Sequence, residues 1–157
     1  ILNHYDRKIQ YSSLRIKRSL NFGKWTIDNS IMYQVVNQND NILNLPQFIS
    51  RNTLYFKERI FKNTLSIQTG INFKIFSKFY ANEYNPLISA FHVQSQKKIG
   101  GFPLFDFFFN AKIRQTKIFI IAEHINSSIS GNSFYSTPES VYRDFGVRFG
   151  FKWNLFN

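Results

Sequence analysis

The chain has 157 residues, with 20 Lys and Arg against 9 Asp and Glu, 19 Phe, 8 Tyr, 2 Trp and no Cys. This length fits one domain, and the aromatic load excludes intrinsic disorder. The lack of Cys excludes a disulfide scaffold and thiolate metal sites, and the longest apolar run, Ile118 to Ala122, is far too short for a membrane helix of ~20 residues.

The net charge of +11 invites a nucleic-acid reading, because basic surfaces release counterions on meeting phosphates. The cations occur singly, however, and the nearest thing to a run is Arg15-Ile16-Lys17-Arg18. A nucleic-acid arm would carry a block of like charge, so no nucleic-acid partner is expected. Ile1 stands where an initiator Met would, and no signal peptide is seen, so the chain reads as processed or truncated.

In chain order, residues 1–10 alternate too little to define an element. Residues 11–22 and 25–36 read as strands joined tightly at Gly23-Lys24, with Arg15 and Lys17 on the polar parity of the first. After a long link, 37–50, comes strand 51–61, where Lys57 and Arg59 share a parity. A tight link at Lys62-Asn63 leads to strand 64–79, in which Leu65, Ile67, Ile71, Phe73 and Ile75 alternate with Ser66, Gln68, Gly70, Asn72 and Lys74. The link 80–102 is rich in Asn, Gly, Pro and Ser. Strand 103–114 sets Phe105, Phe107, Phe109, Ala111 and Ile113 against Asp106, Asn110, Lys112 and Arg114, with Phe108 intruding on the polar side. Gln115-Thr116 joins it to strand 117–126, which carries Glu123. After the link 127–140, strand 141–156 alternates Phe145, Val147, Phe149, Phe151, Trp153 and Leu155 with Gly146, Arg148, Gly150, Lys152 and Asn154. Successive strand side chains point to opposite faces, and no helical stripe competes with this period of two. The expected fold is all-β.

Short and long links alternate strictly, as do the periplasmic turns and extracellular loops of a transmembrane antiparallel β-barrel. Strand 64–79, about 16 residues, would reach ~50 Å, more than the ~25 Å apolar band of such a barrel even when tilted. In a bilayer the apolar parity turns outward. Ile67, Ile71, Phe73, Phe107, Phe109, Phe149, Phe151 and Trp153 are then lipid-facing. The lumen is lined by Arg15, Lys17, Lys57, Arg59, Lys74, Lys112, Arg114, Glu123, Arg148 and Lys152, with Asp28 and Asp106. A soluble, lipocalin-like barrel would invert the two faces. Tyr33, Tyr55, Tyr80, Tyr84, Tyr142 and Trp153 fall near strand ends, where membrane-interface aromatics sit. Arg18 and Glu58 fall on the apolar parity, which a bulge, a neighbouring strand or a partner would have to accommodate. A closed antiparallel barrel needs an even strand number, so seven strands are expected to be the C-terminal part of a larger barrel.

From Leu45 onward the chain resembles the putative outer-membrane porin family common in Bacteroidota. The resemblance rests on Leu45-Pro46-Gln47-Phe48, Arg51-Asn52-Thr53-Leu54-Tyr55-Phe56, Gln68-Thr69-Gly70, Phe79-Tyr80-Ala81 and Tyr84-Asn85-Pro86. It continues through Lys97-Lys98-Ile99-Gly100-Gly101-Phe102-Pro103, Glu123-His124-Ile125-Asn126 and Phe149-Gly150-Phe151-Lys152-Trp153-Asn154-Leu155-Phe156-Asn157. It implies a bacterial outer-membrane location, full-length relatives several times longer than this chain, and a pore. Outer-membrane barrels generally end in an aromatic strand read by the barrel-assembly machinery. Here Phe149, Phe151, Trp153, Leu155 and Phe156 fill that role.

No enzyme is expected. His4, His92 and His124 lack ligand spacing, and Glu123 and His124 point to opposite faces of a strand, so no metal or other cofactor is expected. No nucleophile elbow, phosphate-binding loop or HExxH occurs. The reading is a porin-like channel for passive diffusion of small solutes, preferably anions, through a basic lumen. Its partners are outer-membrane lipid and the assembly machinery. The alternative is a non-conducting subunit of a larger outer-membrane complex, docking other proteins through 37–50 and 80–102. A soluble basic β-domain that binds nucleic acid is the third reading.

Overall fold

A computed structural model describes residues 7–130 and 134–154. Seven long strands dominate it: β1 (Gln10–Phe22), β2 (Trp25–Asn37), β3 (Phe48–Ile60), β4 (Leu65–Phe76), β9 (Leu104–Ile113), β10 (Thr116–Glu123) and β11 (Gly146–Trp153). Inside the long link before β9 lie four short segments, β5 (Phe79–Tyr80), β6 (Glu83–Asn85), β7 (Ala90–His92) and β8 (Lys98–Ile99). One helical turn, α1 (Ser127–Ser130), follows β10.

The long strands form one antiparallel sheet in the order β1-β2-β3-β4-β9-β10-β11, each beside its neighbour in the chain. β5 pairs β8 and β6 pairs β7 as separate two-stranded ribbons. β1 and β11 are the two edges, so the sheet is not closed on itself.

Local chemistry fixes the tight connections. Two-residue hairpins favour turns with positive φ because these match the right-handed strand twist. Gly23 takes φ 63° at no steric cost, whereas Arg114 adopts φ 52° in the Arg114-Gln115 turn. The β3–β4 turn holds Phe61, Lys62 and Asn63 at φ 52°, 53° and 69°, and the Thr64 N–H closes it by donating to the Phe61 carbonyl at 3.1 Å.

Several expected boundaries move, for visible reasons. β4 stops at Phe76, not 79: the Ser77 N–H makes one last in-register bond to the Phe48 carbonyl (2.9 Å), and Phe79 pairs with Ile99 instead. Its 12 residues still reach ~40 Å. β3 begins earlier than expected, with Phe48 opposite Tyr33. β11 begins at Gly146 rather than 141, since Val141 bridges Tyr135 and the Tyr142 N–H donates to the Phe134 carbonyl at 2.7 Å.

Three of the six buried apolar side chains among the described residues gather at the long-loop end. Phe102, 2% exposed, stacks on Phe134 at 4.1 Å, takes the Tyr142 ring edge-on at 5.6 Å and lies 6.3 Å from Phe76. Ile99 and Leu104 are buried near it in the chain. Two glutamines pin the loops by saturating backbone groups that would otherwise be orphaned. Gln38 accepts from the Ile42 and Leu43 N–H and donates to the Leu43 carbonyl. Gln94 accepts from Gln96 and Lys97 and donates to the carbonyls of Ala81 and Lys97.

Candidate functional site

Residues directly opposite on paired strands share a face, so the register assigns every strand position to one of two faces. One row runs Leu20–Ile27–Leu54–Ile71–Phe107–Ala122–Val147 across all seven strands. A second row, offset by one residue, runs Asn21–Thr26–Tyr55–Gly70–Phe108–Ile121–Arg148. No bulge interrupts either, so the first row defines an apolar face and the second a polar face over the whole sheet.

Ile67, Ile71, Phe73, Phe107, Phe109, Phe149, Phe151 and Trp153 all fall on the apolar face. Many of its large side chains are exposed, among them Leu14, Ile16, Leu54, Ile71, Phe107 and, at the β11 edge, Phe149 at 82% and Phe151 at 76%. Contiguous apolar exposure on this scale marks a contact surface for something apolar. Leu155 and Phe156 lie outside the described residues.

Arg15, Lys17, Lys57, Arg59, Lys74, Lys112, Glu123, Arg148 and Lys152 share the polar face. Arg114, in the turn, joins Arg59 and Lys112 around one cavity. Two further cations occupy the same face, Arg51 opposite Ser30 and Lys74, and Lys117 opposite Lys112 and Lys152. The signal for both was in the sequence: Arg51 has the parity of Lys57 and Arg59, and Lys117 that of Glu123.

Register gathers most of these cations into two belts and leaves Arg15, Lys57 and Arg148 outside them. Nearer the long loops, Lys17, Ser30, Arg51 and Lys74 share a row. At the tight-turn end, Arg59, Ser66, Lys112, Lys117 and Lys152 share another. Between them lie Asp28, Asp106 and an aromatic ridge in which Tyr55 and Phe108, both 8% exposed, flank Gly70. Tyr55 is therefore not a strand-end aromatic: it is a mid-strand side chain on the polar face, with the Lys57 ammonium 5.0 Å from its ring centre. Tyr33 and Trp153, by contrast, are exposed on the apolar face near opposite ends of their strands.

Some charges are paired or hydrogen-bonded locally. The Lys74 ammonium donates to Asp106 at 2.6 Å, Ser19 donates to Asp28 at 2.5 Å, and Glu123 binds both Arg148 and Arg143. A cavity of about 380 Å³ opens beside Lys17, Ser19, Asp28, Ser30, Arg51 and Thr53.

The off-parity residues keep their apolar-face positions without a bulge. Glu58 lies beyond the β1–β2 turn and binds the Lys24 ammonium there, at the rim of the sheet. Arg18 stands opposite Asn29, which stands opposite Asn52, giving a polar row of three on the predominantly apolar face. Among the described residues, no group of three His, Asp or Glu side chains is close enough to hold a metal. His124 is buried, with Nδ1 2.8 Å from the Arg143 carbonyl and its ring edge-on to Tyr142, and His92 lies 3.5 Å from Glu83. His4 lies outside the described residues.

A family model described as putative porin matches residues 3–157. The chain belongs to the putative porin family. Membership makes it, at the level of the family, a porin-like outer-membrane protein, and the all-β antiparallel sheet with two opposed faces agrees with that. No curated protein and no solved structure matches the chain.

Proposed function

We propose that this porin-family chain forms part of the wall of an outer-membrane β-barrel, with its polar face lining a path for passive diffusion of small solutes, preferably anions. The observation that carries the reading is the unbroken register, which keeps both basic belts on one face of all seven strands and the exposed Leu, Ile and Phe side chains on the other. Hydrocarbon accepts the apolar face, and a charge turned toward it at mid-depth costs ~2–4 kcal/mol, so the cations face the lumen. Unpaired strand edges are not tolerated in a bilayer. The open edges at β1 and β11 are therefore completed by further strands, making this chain a segment of a larger barrel. The aromatic β11, with Phe149, Phe151 and Trp153, serves the assembly machinery. Conductance of the full-length protein in planar bilayers tests this: an anion-selective channel is expected, and a closed or cation-selective one overturns it.

One observation favours a second reading, a barrel subunit of a larger outer-membrane assembly. Arg18, Asn29 and Asn52 form a polar row on the apolar face, where lipid offers no partner. Mutation separates the two: Arg18→Leu stabilises a barrel bathed in lipid, whereas it releases a co-migrating partner from an assembly on a native gel.

A further inference from the structure

Directly opposed like charges on antiparallel strands destabilise the pairing. At the tight-turn end of the polar face the register nevertheless sets three lysines side by side. Lys112 on β9 is opposite Lys117 on β10, and Lys117 is opposite Lys152 on β11. Ser66 extends the row to Arg59 on β3. Every one of these cations is exposed, and among the described residues none has a carboxylate partner. Elsewhere on the face Lys74 and Arg148 each bind a carboxylate, while Arg15, Lys17, Arg51 and Lys57 have none among the described residues, so what sets this row apart is three lysines in succession on neighbouring strands.

A second observation coincides with the first. A cavity of about 330 Å³ opens at the Arg59 end of the row, and Arg59, Lys112 and Arg114 line it with the side chains of Ser66, Thr64 and Asn63. No acidic residue lines it. Arg114 reaches this position from a left-handed turn, a conformation that a non-glycine residue adopts only at steric cost. The cavity thus combines guanidinium donors, which match anionic oxygens in bidentate geometry, with hydroxyl and amide donors. Strands lie ~4.8 Å apart, so the three lysines span only about 10 Å, and their long stems can converge on one ligand.

We infer that the tight-turn end of the polar face is a binding site for a small multivalent anion bearing phosphoryl or carboxylate oxygens, held by Arg59, Lys112, Arg114, Lys117 and Lys152. The inference rests on the polar face being the solute path. A monovalent anion cannot neutralise five cations at once, whereas a condensed phosphate or polycarboxylate can relieve the repulsion of the lysine row in a single event. The belt then acts as a station at one mouth of the path, concentrating such anions above their bulk level.

The test uses the full-length protein in detergent, with sodium tripolyphosphate as the probe and sodium chloride at matched ionic strength as the screening control. Thermal unfolding is followed for the wild type, for Lys117→Gln at the centre of the row, and for Lys78→Gln, which removes the same charge from a loop. Tripolyphosphate is expected to raise the wild-type midpoint beyond the chloride control. Without the anion, Lys117→Gln is expected to unfold at a higher temperature than wild type, because the repulsion is relieved. Its affinity for tripolyphosphate should fall about tenfold, the equivalent of one lost charge-assisted contact, while Lys78→Gln responds as wild type does. Equal responses of the two variants, or a chloride control that reproduces the whole shift, overturn the site. Conductance in planar bilayers reads the pore separately. A non-conducting protein that still binds tripolyphosphate through Lys117 supports the anion site while removing the solute-path reading.

Discussion

The Lys74 ammonium on β4 reaches diagonally across the ladder to Asp106 on β9 and donates to its carboxylate at 2.6 Å. Asp106 is nearly buried, with a side chain 10% exposed, and its other oxygen accepts the His124 N–H at 3.0 Å. The carboxylate therefore ties together β4, β9 and the chain leaving β10. Asp106→Asn retains the shape and the contact with His124 but removes the charge. It should cost about 1–2 kcal/mol, read as a lowered urea midpoint in detergent. Lys74→Gln should cost about the same or less, because Lys74 is 47% exposed and closer to water. If the polar face lines the path, Asp106→Asn also leaves Lys74 uncompensated and raises anion selectivity in bilayer recordings.

Two glycines on the polar face differ in what surrounds them. A Cβ on Gly70 would lie 2.6 Å from the Tyr55 Cβ and still closer to the Leu54 carbonyl oxygen, which is backbone and cannot yield. On Gly150 it would meet only the Phe119 ring, whose Cζ would be 2.5 Å away but can swing aside. Gly70→Ala should therefore block correct pairing of β3 with β4, and Gly150→Ala should be mild. Gly146→Ala, with nothing within 4 Å, should be neutral. The heat-resistant folded band in gel electrophoresis ranks the three.

Charge insertion on opposite faces distinguishes lipid from solvent. Ile71 lies on the apolar face between Leu54 and Phe107, and Gln68 on the polar face between Lys57 and Asn110. In lipid vesicles Ile71→Lys should cost ~2–4 kcal/mol, the expense of a cation turned toward hydrocarbon. Gln68→Lys should change stability by less than about 1 kcal/mol. Equal effects would remove the membrane orientation.

The long loops carry a pH-dependent contact. Glu139 has its pKa raised, first by a side-chain hydrogen bond with Glu83 and then by the charge of Glu83, with His92 and Lys97 opposing. The folded protein holds this proton more tightly than the unfolded chain does, so the contact is strongest at low pH. It is lost as pH rises through the raised value. Protease cleavage within 135–142 should accordingly accelerate as pH rises through that window, and Glu139→Gln should flatten the profile.

Much of the sheet was legible because its signal is local. Parity in Leu65 to Phe76 or in Phe105 to Ile113 needs only the alternation of side chains along one strand, and the register kept each residue on the face its parity implied. Arg51 and Lys117 were missed although the same rule applies to them, since each stands at the margin of an expected strand. Tyr55 was misread because a strand boundary is a poor guide to depth. Its place over Gly70 depends on a residue of the next strand.

The amino-acid sequence by itself determined the all-β class, the seven long strands, the tight turns and the two opposed faces, because these follow from side-chain alternation and turn chemistry over a few residues. Only the tertiary structure decided which cations stand together. The pairing of Lys112 with Lys117 and of Lys117 with Lys152 depends on the register of three strands, and that register is set by backbone hydrogen bonds between residues far apart in the chain. Likewise, the capture of Asp106 by Lys74, and the lack of such a partner for Lys117 among the described residues, arise from distances that no single strand encodes.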